Sequence, residues 1–114
     1  MTPPPVPLGE FEQLVLLAIL QLGPEAYGVG IGRKLEEETG RAASRGALYT
    51  TLDRLEDKGM VRWKLAIGSA DRGRLPRRIY TVSARGLASV RAAQHAFRRL
   101  ARGLDHILKD PSFK

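Results

Sequence analysis

Residues 44–59 read Ser-Arg-Gly-Ala-Leu-Tyr-Thr-Thr-Leu-Asp-Arg-Leu-Glu-Asp-Lys-Gly, and their reading decides the fold. Leu48, Leu52 and Leu55 recur at i, i+4 and i+7, which places them on one stripe of an α-helix. Gly46, Tyr49, Thr50, Asp53 and Arg54 fall on its flanks and its outer side. Ser44 can cap the first turn with its hydroxyl, and Gly59 can take the positive φ that closes a helix. By itself this is an amphipathic surface helix. The next residues give it a role: 60–67 are strand-like, 68–76 form a glycine-containing, arginine-rich connection, and 77–82 are strand-like again. A helix followed by a basic hairpin is the winged helix-turn-helix arrangement, in which the helix enters the major groove and the hairpin reaches the backbone or the adjacent minor groove.

Upstream, residues 9–22 carry Phe11, Leu14, Val15, Ala18, Ile19 and Leu22, an apolar surface wide enough for a helix buried against several neighbours. Gly23-Pro24 ends it, because proline offers no N–H and restricts the residue before it. A second helix is predicted from Tyr27 or Gly28 to Thr39, with Val29, Ile31 and Leu35 inward and Gly40 closing it. The turn at 40–43 completes the helix-turn-helix. Gly28, Gly30 and Gly32 do not form a nucleotide loop, since no strand precedes them and their spacing matches neither phosphate-binding fingerprint. Close helix packing is the reading they support.

In the hairpin, Val61, Trp63 and Leu65 alternate with Arg62, Lys64 and Ala66, the pattern of a strand with one face buried, which makes Trp63 a core residue. Arg72, Arg74 and Arg77 crowd the tip and the return strand. Arginines this dense repel one another unless a counter-charge arrives, and phosphates supply one; the bland alternative is a solvated charged loop. Ser83 can cap a last helix running to about Leu108. On it Val90, Ala93, Phe97, Leu100, Leu104 and Ile107 follow alternating steps of three and four, the spacing of a coiled-coil seam, with Gly103 inside. A seam this long on a terminal helix has little intramolecular core to cover, so a homodimer is expected.

The chain has 114 residues, with 19 Lys and Arg against 12 Asp and Glu, a formal net charge of +7 and no cysteine. One domain fits this length, the charge suits an anionic partner, and disulfides and thiolate metal sites are excluded. His95 and His106 lie about 16 Å apart along a helix and cannot chelate one ion, so neither metal nor cofactor is expected. The most apolar run, residues 14–20, is too short to span a bilayer, and the proline-rich start lacks the pattern of a signal peptide. The expectation is a cytoplasmic protein with a disordered arm at 1–8, a winged-helix domain at 9–82, a dimerisation helix at 83–109 and a tail at 110–114.

These residues resemble the PadR-like transcriptional regulators, in the short form with a single C-terminal helix. The resemblance runs from Leu8 to about Leu108 and rests on Leu8-Gly9-Glu10-Phe11-Glu12, on Tyr27-Gly28, on residues 44–56 and on Tyr80-Thr81-Val82-Ser83-Ala84-Arg85-Gly86. Residues 44–56 are the most specific part. The resemblance implies a mainly α fold with a small hairpin and a homodimer that binds a pseudo-palindromic operator in double-stranded DNA, commonly as a repressor. It also implies that Tyr49 meets a backbone phosphate and that Arg45 and Thr50 lie at the major-groove surface beside Gly46 and Arg54. Arg72, Arg74 and Arg77 become the wing contacts. The family pattern includes small-molecule effectors, but nothing in the sequence marks a pocket for one. Ser83 stands where a threonine is usual and keeps the cap. Asp53, on the outward face, meets phosphates unfavourably unless it pairs with an arginine or accepts from a cytosine.

Two other classes remain open at this point. A protein-interaction module would use the winged helix as a scaffold and show no DNA preference. A membrane-surface protein would use Arg85, Arg91, Arg98, Arg99 and Arg102 as a basic face. An enzyme is not expected, since no Ser-His-Asp set or paired carboxylates stand out.

Overall fold

The computed structural model describes residues 8–67 and 75–112. The elements are α1 (Glu10–Leu22), a 3-10 turn (Gly23–Glu25), α2 (Gly28–Thr39), α3 (Arg45–Asp57), β1 (Val61–Ile67), β2 (Pro76–Val82), α4 (Ala84–Ala101) and the single turn α5 (Asp105–Leu108). The chain is mainly helical with one antiparallel hairpin, as the sequence predicts. Val61 pairs with Val82, Trp63 with Tyr80 and Ile67 with Pro76. The segment entering α2 lies along the free edge of β2: Tyr27 bridges Ile79, and the Tyr80 N–H donates to the Ala26 carbonyl at 2.9 Å. That edge contact ties the wing to the start of α2.

The core forms where α1 crosses the other elements. Val15, Leu16 and Ile19 pack with Ile31 and Leu35 of α2, with Leu48, Leu52 and Leu55 of α3, with Met60, Val61 and Tyr80, and with Val90 of α4. Each such side chain contributes roughly 1.5–3 kcal/mol by leaving water. Burying the leucine stripe turns the opposite side of α3 outward.

The ends of α3 are built as its sequence requires. The Ser44 hydroxyl accepts from the Ala47 N–H at 3.0 Å. At the other end Gly59 takes φ 73°, the Gly59 N–H reaches the Glu56 carbonyl at 2.9 Å and the Met60 N–H reaches that of Leu55 at 2.8 Å. This is a Schellman closure, which only a residue tolerant of positive φ supports cheaply. The Ser83 hydroxyl both accepts from the Gly86 N–H at 3.1 Å and donates to the Gly59 carbonyl at 2.6 Å, fastening the start of α4 to the end of α3. Gly86 sits so close that a Cβ there would overlap the Met60 carbonyl oxygen.

The Lys58 ammonium holds both carboxylate oxygens of Glu12 at 3.0 and 2.8 Å, and Glu12 Oε1 also accepts from the Gly9 N–H at 2.9 Å. Burial by itself would raise the Glu12 pKa. The hydrogen bonds from Lys58 and Gly9, with the charges of Lys58 and Arg54, outweigh it and hold the carboxyl below its ordinary value.

Several sequence expectations change. The last helix does not run to Leu108: it stops at Ala101, and Gly103 takes φ 79° in the turn before α5. A glycine inside the seam thus serves as a helix stop, because left-handed backbone costs it nothing. Val90 is only 5 % exposed and belongs to the chain's own core, so it leaves the apolar seam before any partner is considered. Val29 is half exposed rather than inward, and Leu65 is exposed because the hairpin projects beyond the helices that bury Val61.

Candidate nucleic-acid interface

Arg45, Gly46, Thr50, Asp53 and Arg54 are all exposed on the outer side of α3, while Tyr49 is half-buried on its flank. The reason is helical geometry: with Leu48, Leu52 and Leu55 inward, the rows one-third of a turn away emerge on the far side. The Tyr49 ring leans across to the first turn of α2. A Cβ on Gly28 would overlap its hydroxyl, so the Tyr27-Gly28 pair serves a contact and not merely a helix start.

The base of the wing closes the other side. Arg77 stacks on the Tyr27 ring, its guanidinium carbon 3.9 Å from the ring centre. Arg78, on the other face of the strand, stacks on Trp63 at 4.0 Å. The indole N–H of Trp63 donates to Glu56 Oε2 at 2.9 Å, so α3 orients the ring on which Arg78 lies. Stacked arginines lose less conformational freedom when they meet an anion than free ones do.

Tyr80 is 1 % exposed, and its hydroxyl has no hydrogen-bond partner among the described residues. Burial pushes its pKa up, against a downward pull from the adjacent Arg78. The guanidinium polarises the hydroxyl without meeting the geometry of a hydrogen bond. In return the Tyr80 hydroxyl, ahead of the charges of Asp53 and Glu56, holds Arg78 more firmly protonated. Tyr27, Gly28, Tyr49, Arg77, Arg78 and Tyr80 together line an open cleft of about 390 Å³ between α2, α3 and the wing.

The structure thus joins Tyr49 and Arg77 around one cleft and sets Arg45, Gly46, Thr50 and Arg54 on the helix face beside it. Arg72 and Arg74 lie outside the described residues. Sequence reasoning missed Arg78 and Tyr80 as parts of this surface; the cross-strand step from Trp63 to Tyr80 was the available signal. Of the seam, Phe97 is 73 % and Leu100 81 % exposed, Leu104 is less so, and Ala93 and Ile107 are half-buried. Among the described residues no three His, Cys, Asp or Glu side chains cluster as metal ligands, and no helix is long and apolar enough to cross a membrane.

A family model for the transcriptional regulator PadR-like family matches residues 16–92. Among solved structures, a PadR-like transcriptional regulator from Bacillus cereus superposes with a TM-score of 0.70 at 21% identity, over 88% of this chain and 92% of that one. A PadR family regulator from Eggerthella lenta gives 0.62 at 26% identity, over 87% and 86%. Bacillus subtilis PadR, solved in complex with operator DNA, gives 0.61 at 22% identity, over 75% of this chain and 48% of that one. A search of curated proteins found no match.

Proposed function

Because the chain belongs to the transcriptional regulator PadR-like family, we propose that it is a sequence-specific DNA-binding regulator that acts as a homodimer, as a repressor in the cytoplasm. The observation that carries this reading is the continuous surface formed by the outer side of α3 and the arginine-bearing base of the wing. In this reading Arg45, Thr50 and Arg54 face the major groove, with Gly46 allowing close approach. Tyr49 and Arg77 hold the backbone, and Arg72 and Arg74 extend the wing contact. Bacillus subtilis PadR, which shares the fold, was solved in complex with operator DNA, and this supports the DNA-binding reading.

Phe97, Leu100 and Leu104 leave an apolar strip in water along α4 and the turn after it. A two-fold pairing of these helices would bury the strip and match the two-fold symmetry of a pseudo-palindromic operator. The proposed partners are double-stranded DNA and a second copy of the chain.

The test is a titration against DNA from upstream of the protein's own gene and a scrambled duplex of equal length, at several salt concentrations. A preference for the upstream duplex that persists as salt rises is the expected result. Equal binding that vanishes with salt refutes sequence specificity, and no binding at low salt turns the assignment to a protein-interaction module.

A further inference from the structure

The hairpin carries an apolar overhang that the fold itself does not use. Its register sets Val61 opposite Val82 and Trp63 opposite Tyr80 on one face of the sheet, and this part of the face packs against the core. The next two pairs on the same face, Leu65 with Arg78 and Ile67 with Pro76, continue outward past that cover. Leu65 is 61 % and Ile67 78 % exposed, and Pro76 is exposed as well. A strand that leaves its packing normally turns polar where it meets water, because an exposed apolar strand invites pairing with other chains. Here leucine, isoleucine and proline stand together instead.

Three observations bear on what covers the overhang. First, it is continuous with the surface assigned to DNA. Arg78 lies opposite Leu65, its guanidinium stacks on Trp63 at 4.0 Å, and the Trp63 indole donates to Glu56 of α3 at 2.9 Å. Secondly, its frame is cationic: Arg62, Lys64, Arg77 and Arg78 stand on the two strands, and neither strand contains an acid. An apolar patch in a cationic frame fits a partner with anionic rims and an apolar interior, which describes a duplex groove walled by sugars and floored by bases. Thirdly, the reach fits. The four strand residues from Trp63 to Ile67 span about 13 Å, which carries the apolar pair away from a helix seated in the major groove and toward the neighbouring minor groove. Leucine, isoleucine and proline side chains offer no hydrogen-bond donor, so this part of the wing is not built to hold a phosphate.

We propose that Leu65 and Ile67, backed by Pro76, form an apolar wedge that enters the minor groove and opens a base step there, so that the protein selects DNA by how easily that step deforms. The inference rests on the DNA-binding reading. Apolar side chains of these types unstack a step and bend the duplex toward the major groove by about 20–90°. The cost of unstacking is lowest at pyrimidine–purine steps, so a wedge reads sequence where it touches no base edge. Being uncharged, it releases no counterion and leaves the salt dependence to the arginines around it.

The test uses the full chain and a duplex that it selects from a random-sequence pool, labelled at both ends for energy transfer. Binding of the wild type should shorten the end-to-end distance, and the double variant Leu65→Thr/Ile67→Thr should leave it close to that of the free duplex. Threonine keeps the β-branched fit to a strand and both positions face water, so Tm should not change. Ile67→Thr alone, at the outermost pair, serves should the double variant melt early. The variant's Kd should rise about fivefold with an unchanged slope of log K against log salt. A single mismatch moved along the duplex then softens one step at a time. The wild type should bind about tenfold tighter when the mismatch falls at the wedged step, and the variant should gain less than about twofold there.

A wild type that discriminates between duplexes but leaves them straight, and gains from a mismatch at no step, overturns the wedge while the DNA reading stands. Bending and mismatch gain that persist in the variant overturn it as well, since the deformation then arises elsewhere. A wild type that selects no duplex overturns the DNA reading and the wedge with it. Self-association of the DNA-free protein that the variant abolishes, with bending unchanged, assigns the overhang to a second copy of the chain and equally overturns the wedge.

Discussion

Lys58→Met is the perturbation whose size can be worked most directly from the structure. The ammonium meets both oxygens of Glu12 at 3.0 and 2.8 Å, and the Glu12 side chain is only 8 % exposed against 30 % for Lys58. Removing one partner of a fully buried pair costs about 3–5 kcal/mol, because the remaining charge has no counter-charge. Water reaches part of Lys58, and Glu12 keeps its bond from the Gly9 N–H, so roughly 2 kcal/mol is expected here. For a domain of this size that corresponds to a fall in Tm of about 10 °C, measured at fixed protein concentration. The pH dependence has a definite sign. Glu12 has its folded-state pKa lowered from 4.5, so the pair's contribution is fully present above that value and is lost as pH falls through the folded-state pKa. The gap between wild type and Lys58→Met in urea melts should accordingly be widest near neutrality and close in acid. Glu12→Leu combined with Lys58→Met leaves no unpaired charge and should recover most of the loss. A single variant as stable as wild type at neutral pH, or a double variant no better than the single, would refute the account.

Three further outcomes are expected. Gly86→Ala drives a Cβ into the Met60 carbonyl oxygen and toward Val82, with backbone on one side that cannot yield, and should lose about 2 kcal/mol or more in urea melts. Phe97→Asp places a charge on the exposed strip of α4; sedimentation should show a dimer reduced to a monomer with helical content unchanged, and a variant that stays dimeric would remove the strip from the interface. Arg74→Ala should weaken binding to specific and scrambled duplexes alike and flatten the salt slope by about 0.9, the mark of one lost phosphate contact.

The parts of the fold that local chemistry dictates were legible in the residues. Ser44, Gly59, Gly40 and Ser83 mark element ends because a cap is decided within a few positions, and the leucine stripe of α3 orients its outer face by periodicity alone. Burial was less legible where it depends on how far an element projects. Leu65 continues the alternation of Val61 and Trp63, yet no helix reaches it, and the heptad pattern through Val90 and Ile107 crosses a core contact at one end and a stop at Gly103 at the other. The cleft was not legible. Tyr27, Tyr49 and Tyr80 are far apart in sequence and meet only because Tyr27 adds itself to the edge of β2 and because Gly28 leaves room for the Tyr49 ring.

Asp53 shows how the packed structure alters a judgement made from residue type. On an isolated recognition helix an exposed acid opposes phosphates. Here it lies within the field of Arg78, whose guanidinium is held on Trp63 by an indole that Glu56 in turn orients. The charges of Asp53 and Glu56 thereby add to what holds this fixed wing arginine protonated. No direct ion pair joins Asp53 to Arg78 among the described residues, so its carboxylate oxygens keep their accepting capacity. An exposed acid still free to accept is suited to a cytosine amino group in the major groove. Asp53→Asn would then raise affinity for scrambled DNA while narrowing the margin between the selected duplex and its competitors, which competition titration can measure. If the margin is unchanged while affinity rises for both duplexes, Asp53 acts through its charge alone.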